Sequence, residues 1–367
     1  MTRKLRKKGA ATTLDDVAVL AGVSRITASR VVNGGMHVSK HKRDLVMKAV
    51  EELNYIPNLA ARALAGAQES RIALVYANPS STYLGELIMG ALSGASKAGI
   101  QIILKPWRNI STATERSAAA RLAKNVEGVV LPSPLCDSKV IVTELVDAGV
   151  PIVAVGPGRI PEPLSCVRVD DFRASFEVTS HLIELGHRRI GFITGNPAQS
   201  VSGRRLEGYK AAISQSGMPL DETLIKQGYF NYQSGLEATE SLLSSEDRPT
   251  AIFASNDDMA TAVVNVAHRR GLDIPKDISV FGFDDLPMAV SVWPELSTVH
   301  QPVADMAEKA IEILMRKIRS QDSGVSAAID CVIPHRLVTR DSTAAPPRVQ
   351  SATTLRSHCD DERHAEA

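Results

Sequence analysis

The sequence predicts an all-α helix-turn-helix head followed by an α/β body of two lobes, each a doubly wound parallel sheet. Three observations carry that prediction. Two short helical patterns meet at one glycine in "LDDVAVLAGVSRITASRVVNG", Leu14 to Gly34. Strand-like and helical runs then alternate along the rest of the chain, the signature of βαβ units. The 367 residues are also too many for one ordinary domain.

Residues 1–11, with the run "RKLRKK", read as a basic disordered arm. That run alone fits a solubilising tail as well as an anion-seeking one. The helix-turn-helix domain is expected over 12–57. Leu14, Val17, Ala18 and Ala21 recur at helical spacing, and Gly22 stops the first helix. Ser24 can cap a second helix running through Val31 and Val32, which Asn33-Gly34-Gly35 ends. Ser39 is placed to cap a third, with Leu45, Val46, Ala49, Val50 and Leu53 as its buried stripe. Pro57 biases Ile56 away from helix and closes the unit.

The strand-like runs of the body are "RIALVY", "GIQIILKP", "VEGVVLP", "VPIVAVG", "LSCVRV", "RRIGFIT", "TAIFAS" and "DISVFGF". Each is short, β-branched and bounded by turn residues. Helical stretches such as Leu84–Ala98 and Arg204–Ser216 lie between them. That many strands fit two sheets better than one. The body is therefore assigned to 70–340, with lobe 1 at 70–169 and 301–329 and lobe 2 at 170–300 and 330–340. The polar, aperiodic stretch 341–367 reads as a disordered tail.

Composition narrows the function classes. The net charge of +1 hides an asymmetry: residues 1–69 carry +6 and the remainder −5. A basic head on a mildly acidic body points to an anionic partner for the head alone. No run of about 18 apolar residues occurs, so no membrane span is expected. The charged N-terminus lacks the apolar segment of a secretory signal. Cys136, Cys166, Cys331 and Cys359 form no CxxC pair, which suggests a reducing cytoplasm and argues against zinc or a disulfide frame. An enzyme finds little support. "GPG" at Gly156–Gly158 has Pro161 where a dinucleotide loop needs its third glycine, and no GxSxG, P-loop or HExxH occurs. No cofactor or metal is expected. His187, between a helix and a strand, reads as structural.

In a helix-turn-helix the second helix enters the major groove of DNA and meets base edges with its first turns. Ala28, Val31 and Val32 would be its buried face, leaving Arg25, Ile26, Ser29 and Arg30 outward. The arginine fork can hold guanine O6 and N7 together, and Ile26 could touch a thymine methyl. Thr27, Ser29 and Asn33 suit phosphates, which set register.

These motifs, with "VSKHKRDLVMKAVEELNYIPNLAARALAG" and "PHRLVTR" far downstream, resemble the LacI/GalR repressor family along nearly the whole chain. The resemblance implies a cytoplasmic homodimer that represses carbohydrate genes from a palindromic operator. It also implies a periplasmic-binding-protein-like core that holds a sugar or sugar derivative. Base reading would fall on Arg25, Ile26 and Arg30; Ala28 departs from the commoner valine. Residues 58–69 would hold a hinge helix. There Ala61 and Leu64 would enter the minor groove, Leu64 as a wedge, with Asn58 and Arg62 in the same DNA-contacting set. From the residues alone Ala61 and Leu64 fit an ordinary linker equally well. No leucine heptad follows Arg340, which argues against a tail-driven tetramer.

Two α/β lobes leave a cleft at the carboxyl ends of their strands. "SNDDMA", "GFDD", "GRRLEGY" and "QGYFNYQSG" place carboxylate, amide, guanidinium and aromatic groups at such ends, a set suited to sugar hydroxyls and C–H faces. The resemblance implies effector contacts at Arg205, Phe230, Asn256 and Asp284, with Tyr83 from lobe 1. Asp257 could instead cap a helix, Asp285 could be a surface turn residue, and Phe230 and Trp293 could be packing. Pro132 and Gly156 stand where relatives often carry polar groups. The sign of the response is left open.

Overall fold

A computed structural model describes residues 12–32, 38–53, 55, 71–77, 80–107, 112–160, 162–245, 247–320 and 327–347. The basic arm, Asn33 and the hinge positions Asn58, Ala61, Arg62 and Leu64 lie outside the described residues. The chain divides into two compact units, Met1–Glu69 and Ser70–Ala367.

The first unit is three helices, α1 (Leu14–Leu20), α2 (Arg25–Val32) and α3 (Lys40–Glu52). The amide and hydroxyl of Thr13 both donate to Asp16, which fixes the start of α1. Gly22, at φ +63°, turns the chain out of it. Ser24 then caps α2, its hydroxyl accepting from the Thr27 amide at 3.1 Å. Val17, Ala18, Ala21, Ala28, Val31, Val46 and Ala49 form one small core. Two expectations need correction. Ser39 precedes α3 but its hydroxyl accepts no capping bond. Leu45 is exposed, because Val46 and Ala49 already fill the face turned to α1 and α2.

The second unit runs β1 (Arg71–Tyr76), α4 (Ser81–Ala98), β2 (Gln101–Pro106), α5 (Thr112–Ala123), β3 (Gly128–Pro132), α6 (Lys139–Asp147), β4 (Ile152–Val155) and β5 (Ser165–Arg168). It continues with α7 (Asp171–Glu184), β6 (Ile190–Thr194), α8 (Ser200–Gln215), β7 (Ile225–Gln227), α9 (Tyr232–Leu243), β8 (Ala251–Ala254), α10 (Asp257–Arg269) and β9 (Ser279–Phe281). The last elements are β10 (Thr298–His300), α11 (Val303–Ser320), β11 (Asp330–Val332) and β12 (Arg336–Val338). Two parallel sheets result, ordered β11-β5-β4-β3-β1-β2 and β7-β6-β8-β9, with β10 and β12 as an antiparallel pair. All eight strands expected from sequence are present. The chain passes from one sheet's lobe to the other three times: after β5, between β10 and α11, and between β11 and β12. None of the described helices is long and apolar enough to cross a membrane.

Three-residue strands β7, β10, β11 and β12 were too short to show a period. One of them corrects the lobe boundary. Asp330–Val332 pairs with Cys166–Arg168, and both Asp330 oxygens accept from the Arg168 fork at 2.8 Å. Residues 330–332 therefore belong to lobe 1. The disordered-tail expectation also fails at 341–347. Ser342 is fully buried, its hydroxyl accepting from Ser297 N and donating to Val280 O, while the Val280 amide donates to Ser342 O. The Ala344 carbonyl meets His187 Nε2 at 2.9 Å. This strap satisfies groups along β9 that would otherwise be buried without partners, so polar composition does not make it loose. Burial pushes the His187 pKa down, which suits the structural role expected of it.

Candidate functional site

On α2 the helix periodicity separates two faces. Ala28 and Val31 are buried and Val32 is half-buried, while Arg25, Ile26 and Arg30 are exposed. Ile26 is 66% exposed, a large apolar side chain that the head's own core does not use. Thr27 and Ser29 are half-buried, and the Thr27 hydroxyl is shared with Ser24 at 2.8 Å. Arg25 reaches Asp15 at 3.3 Å, with both side chains largely in solvent. Such a pair is weak, and the guanidinium can exchange partners easily.

In the body, a cavity of about 40 Å³ lies between the lobes, lined by residues at the carboxyl ends of parallel strands in both sheets. It brings together all five expected contacts: Tyr83, Arg205, Phe230, Asn256 and Asp284. It adds Ser133, Asp171, Gln199 and Gln301, which sequence reasoning missed. Asp171 was discoverable as an acid opening a helix directly after a strand. Gln301 sits at a lobe crossing, a position only the tertiary fold reveals. Gly156 lines the cavity, but Pro132 does not; its neighbour Ser133 does, donating to Gln199 Oε1 at 3.2 Å.

Arg205 anchors the floor. It is 4% exposed, and its Nε donates to Asp171 Oδ1 at 2.7 Å. Nη1 donates to the Ser255 carbonyl, and Nη2 reaches Gln301 Oε1 at 3.4 Å. The guanidinium also lies 3.5 Å from the centre of the Phe283 ring. Phe230 takes a positive φ of 58°, and its ring occupies the space that a Cβ on Gly195 would need, 1.9 Å from the ring tip. Gly195 thus makes the ring's seat. Asn256 caps α10, accepting from the Met259 amide at 3.0 Å and donating to the Phe230 carbonyl at 3.2 Å. Asp284 also has a positive φ, 117°, unusual for a residue with a Cβ. No hydrogen bond from the described residues reaches its carboxylate, although it is only 5% exposed.

Burial raises the pKa of Asp171, opposed by Arg205. Burial pushes that of Asp284 well up, again opposed by Arg205 and reinforced by nearby carboxylates. Asp257 does not line the cavity, and the helix cap is Asn256. It points inward, accepting from Thr298 Oγ1 at 2.7 Å and Leu286 N at 2.9 Å, and burial lifts its pKa to about 7. Asp285 is no plain turn residue, since it meets Arg340 at 2.6 Å and His300 at 2.9 Å. Trp293 is 77% exposed and does not pack.

Several contacts cross the cleft. Gly158 N donates to Ser200 Oγ at 2.9 Å, and the Ser200 amide donates to Asp137 Oδ2 at 3.2 Å. A lobe 1 carboxylate thereby closes the N-terminus of the lobe 2 helix α8. Arg159 reaches Glu207 at 3.0 Å and Asp258 bonds Ser80, while within lobe 1 Gln301 Nε2 donates to the Tyr83 hydroxyl at 3.4 Å. These contacts bridge the two lobes, and the cavity left between them is small.

Known proteins match both units. Residues 13–58 match the family model of bacterial regulatory proteins, lacI family, and residues 179–343 match that of the periplasmic binding protein-like domain. The HTH-type transcriptional regulator AscG of Escherichia coli (strain K12) is 36% identical over 340 residues, covering 92% of this chain and all of AscG. A transcriptional regulator CelR–cellobiose complex superposes with TM-score 0.69 at 32% identity, covering 90% of this chain and 99% of that one. A Lac repressor dimer bound to operator and the anti-inducer ONPF gives TM-score 0.71 at 27% identity, covering 92% and 100%.

Proposed function

The chain belongs to the LacI family of bacterial transcriptional regulators, which are DNA-binding proteins and not enzymes, and from that premise we propose that it is an effector-controlled repressor of carbohydrate-utilisation genes. The observation that carries the proposal is the joining, in one chain, of an exposed Arg25, Ile26 and Arg30 face with an interlobe cavity lined by Tyr83, Arg205, Phe230, Asn256 and Asp284. The α2 face reads base edges, with Thr27, Ser29 and Asn33 on phosphates. Ala61 and Leu64 of the hinge enter the minor groove, beside Asn58 and Arg62. The working unit is a cytoplasmic homodimer, whose two-fold symmetry matches a palindromic operator. An exposed β2 edge with Ile103 and Leu104, flanked by Met89 and Leu92 on α4, supports self-association.

The effector is a sugar in the cleft, in keeping with the cellobiose held by the CelR relative. Binding changes how far the lobes close, which changes the spacing of the hinges and so the affinity for operator. A ligand moves that balance only by its difference in affinity for the two arrangements. Arg30→Ala tests the division of labour. It is expected to weaken operator binding by about 1–3 kcal/mol and to leave random DNA binding and the sugar-induced thermal shift in place. Equal loss on random DNA would remove Arg30 from base reading.

A further inference from the structure

We infer that the cleft takes an uncharged polyhydroxy ligand and rejects the phosphorylated or carboxylated form of the same sugar; the inference rests on reading the cleft as the effector site. Among the residues lining the cavity Arg205 is the one cation, and it stands against Asp171 and Asp284. Asp258, half-buried, adds a third carboxyl group nearby, bonded to Ser80. Asp171, Ser255 and Gln301 already take three of the five N–H groups of Arg205, and the Asp171 carboxylate at 2.7 Å offsets its charge.

Helix N-termini are the other usual seats for anions. Four of the helices that begin beside the cleft have a start that is already closed. Ser80 accepts from the Tyr83 amide on α4, Asp170 from Arg173 on α7, and Asn256 from Met259 on α10. The start of α8 is closed from the other lobe by Asp137. A phosphate or carboxylate entering beside Asp284 would lose its water with no donor cluster and no unpaired cation to replace it, which costs several kcal/mol.

Asp284 shows what the site does accept. Its carboxylate is buried, lines the cavity and receives no bond from the described residues, so it calls for hydroxyl donors. The Tyr83 hydroxyl and the Gln301 amide, joined at 3.4 Å, can take the complementary partners on the lobe 1 side. The Phe230 ring offers a face for C–H groups.

Calorimetry on the full chain with matched sets tests this: glucose and glucose 6-phosphate; ribose and ribose 5-phosphate; galactose and galacturonate; cellobiose and cellobionate. At least one neutral member should bind, with its charged counterparts about 100-fold weaker or more. Asp284→Asn should weaken the neutral sugar and narrow the gap to its anionic form. A charged member that binds as tightly as its neutral counterpart, and whose binding Asp284→Asn alters, overturns the ligand class but keeps the cleft. A neutral sugar unaffected by both Asp284→Asn and Tyr83→Phe overturns the cleft reading itself. Failure of every neutral member to bind overturns both.

Discussion

Asp257 shows how an acid next to a binding site serves structure. Its two oxygens tie the Leu286 amide and the Thr298 hydroxyl to the start of α10, so the loop carrying Asp284 is held against the helix. Burial lifts its carboxyl to about 7, whereas a free Asp titrates near 3.9. Between those values the folded state keeps a proton that the unfolded chain has released. Stability therefore falls as pH rises through that window and levels off above it. Asp257→Asn keeps an acceptor for the Leu286 amide while its new amide donates to the Thr298 hydroxyl. It should lower the slope, leaving stability at pH 8 closer to that at pH 5, as read from urea midpoints. An undiminished slope would assign it to Asp171, Asp258 and Asp284 instead. Residue types were legible in the sequence here, but roles were not. "SNDD" shows three polar groups in a row, and only the packing decides that Asn256 caps while Asp257 turns inward.

At the scale of elements, the cleft closes where a loop of lobe 1 meets the first turn of α8. Gly158 allows that approach: a Cβ there would lie 2.4 Å from Val201 N and 2.5 Å from Ser200 C. Neither is a side-chain end that could swing aside. Gly158→Ala should leave both lobes folded and hold them apart. Small-angle scattering should show a larger radius of gyration, and a sugar that needs the closed form should bind about tenfold more weakly. Unchanged scattering and affinity would show that this contact does not limit closure. The sequence displayed Gly156 and Gly158 as a pair, but the Ser200 that Gly158 meets lies 42 residues on, beyond any local pattern. The same distance hid β11 and the strap at 341–347, whose hydrogen bonds go to segments far away in the sequence. Long runs such as "RIALVY" and "DISVFGF" were plain, because a buried parallel strand is apolar on both faces.

For the whole molecule, operator binding as a two-fold unit requires an interface. The β2 edge, with Leu104 39% exposed, is the surface where an added charge would cost the folded protomer least and a dimer most. Leu104→Lys should leave the melting point of the protomer almost unchanged and give a monomer by light scattering, with operator affinity reduced at least about tenfold. A dimer that persists would place the interface elsewhere. By itself the sequence determined the division into head and body, the helix-turn-helix with its outward arginines, and the alternation that builds two parallel sheets. Each of these follows from periods of two or 3.6 residues and from turn residues acting on their neighbours. Only the tertiary structure decided which polar groups share the cleft, which of them are already satisfied, and which carboxylate is left open. Those outcomes depend on groups from both lobes meeting in a volume that excludes water, where an unmet hydrogen bond or charge is costly enough to dictate the chemistry of what binds.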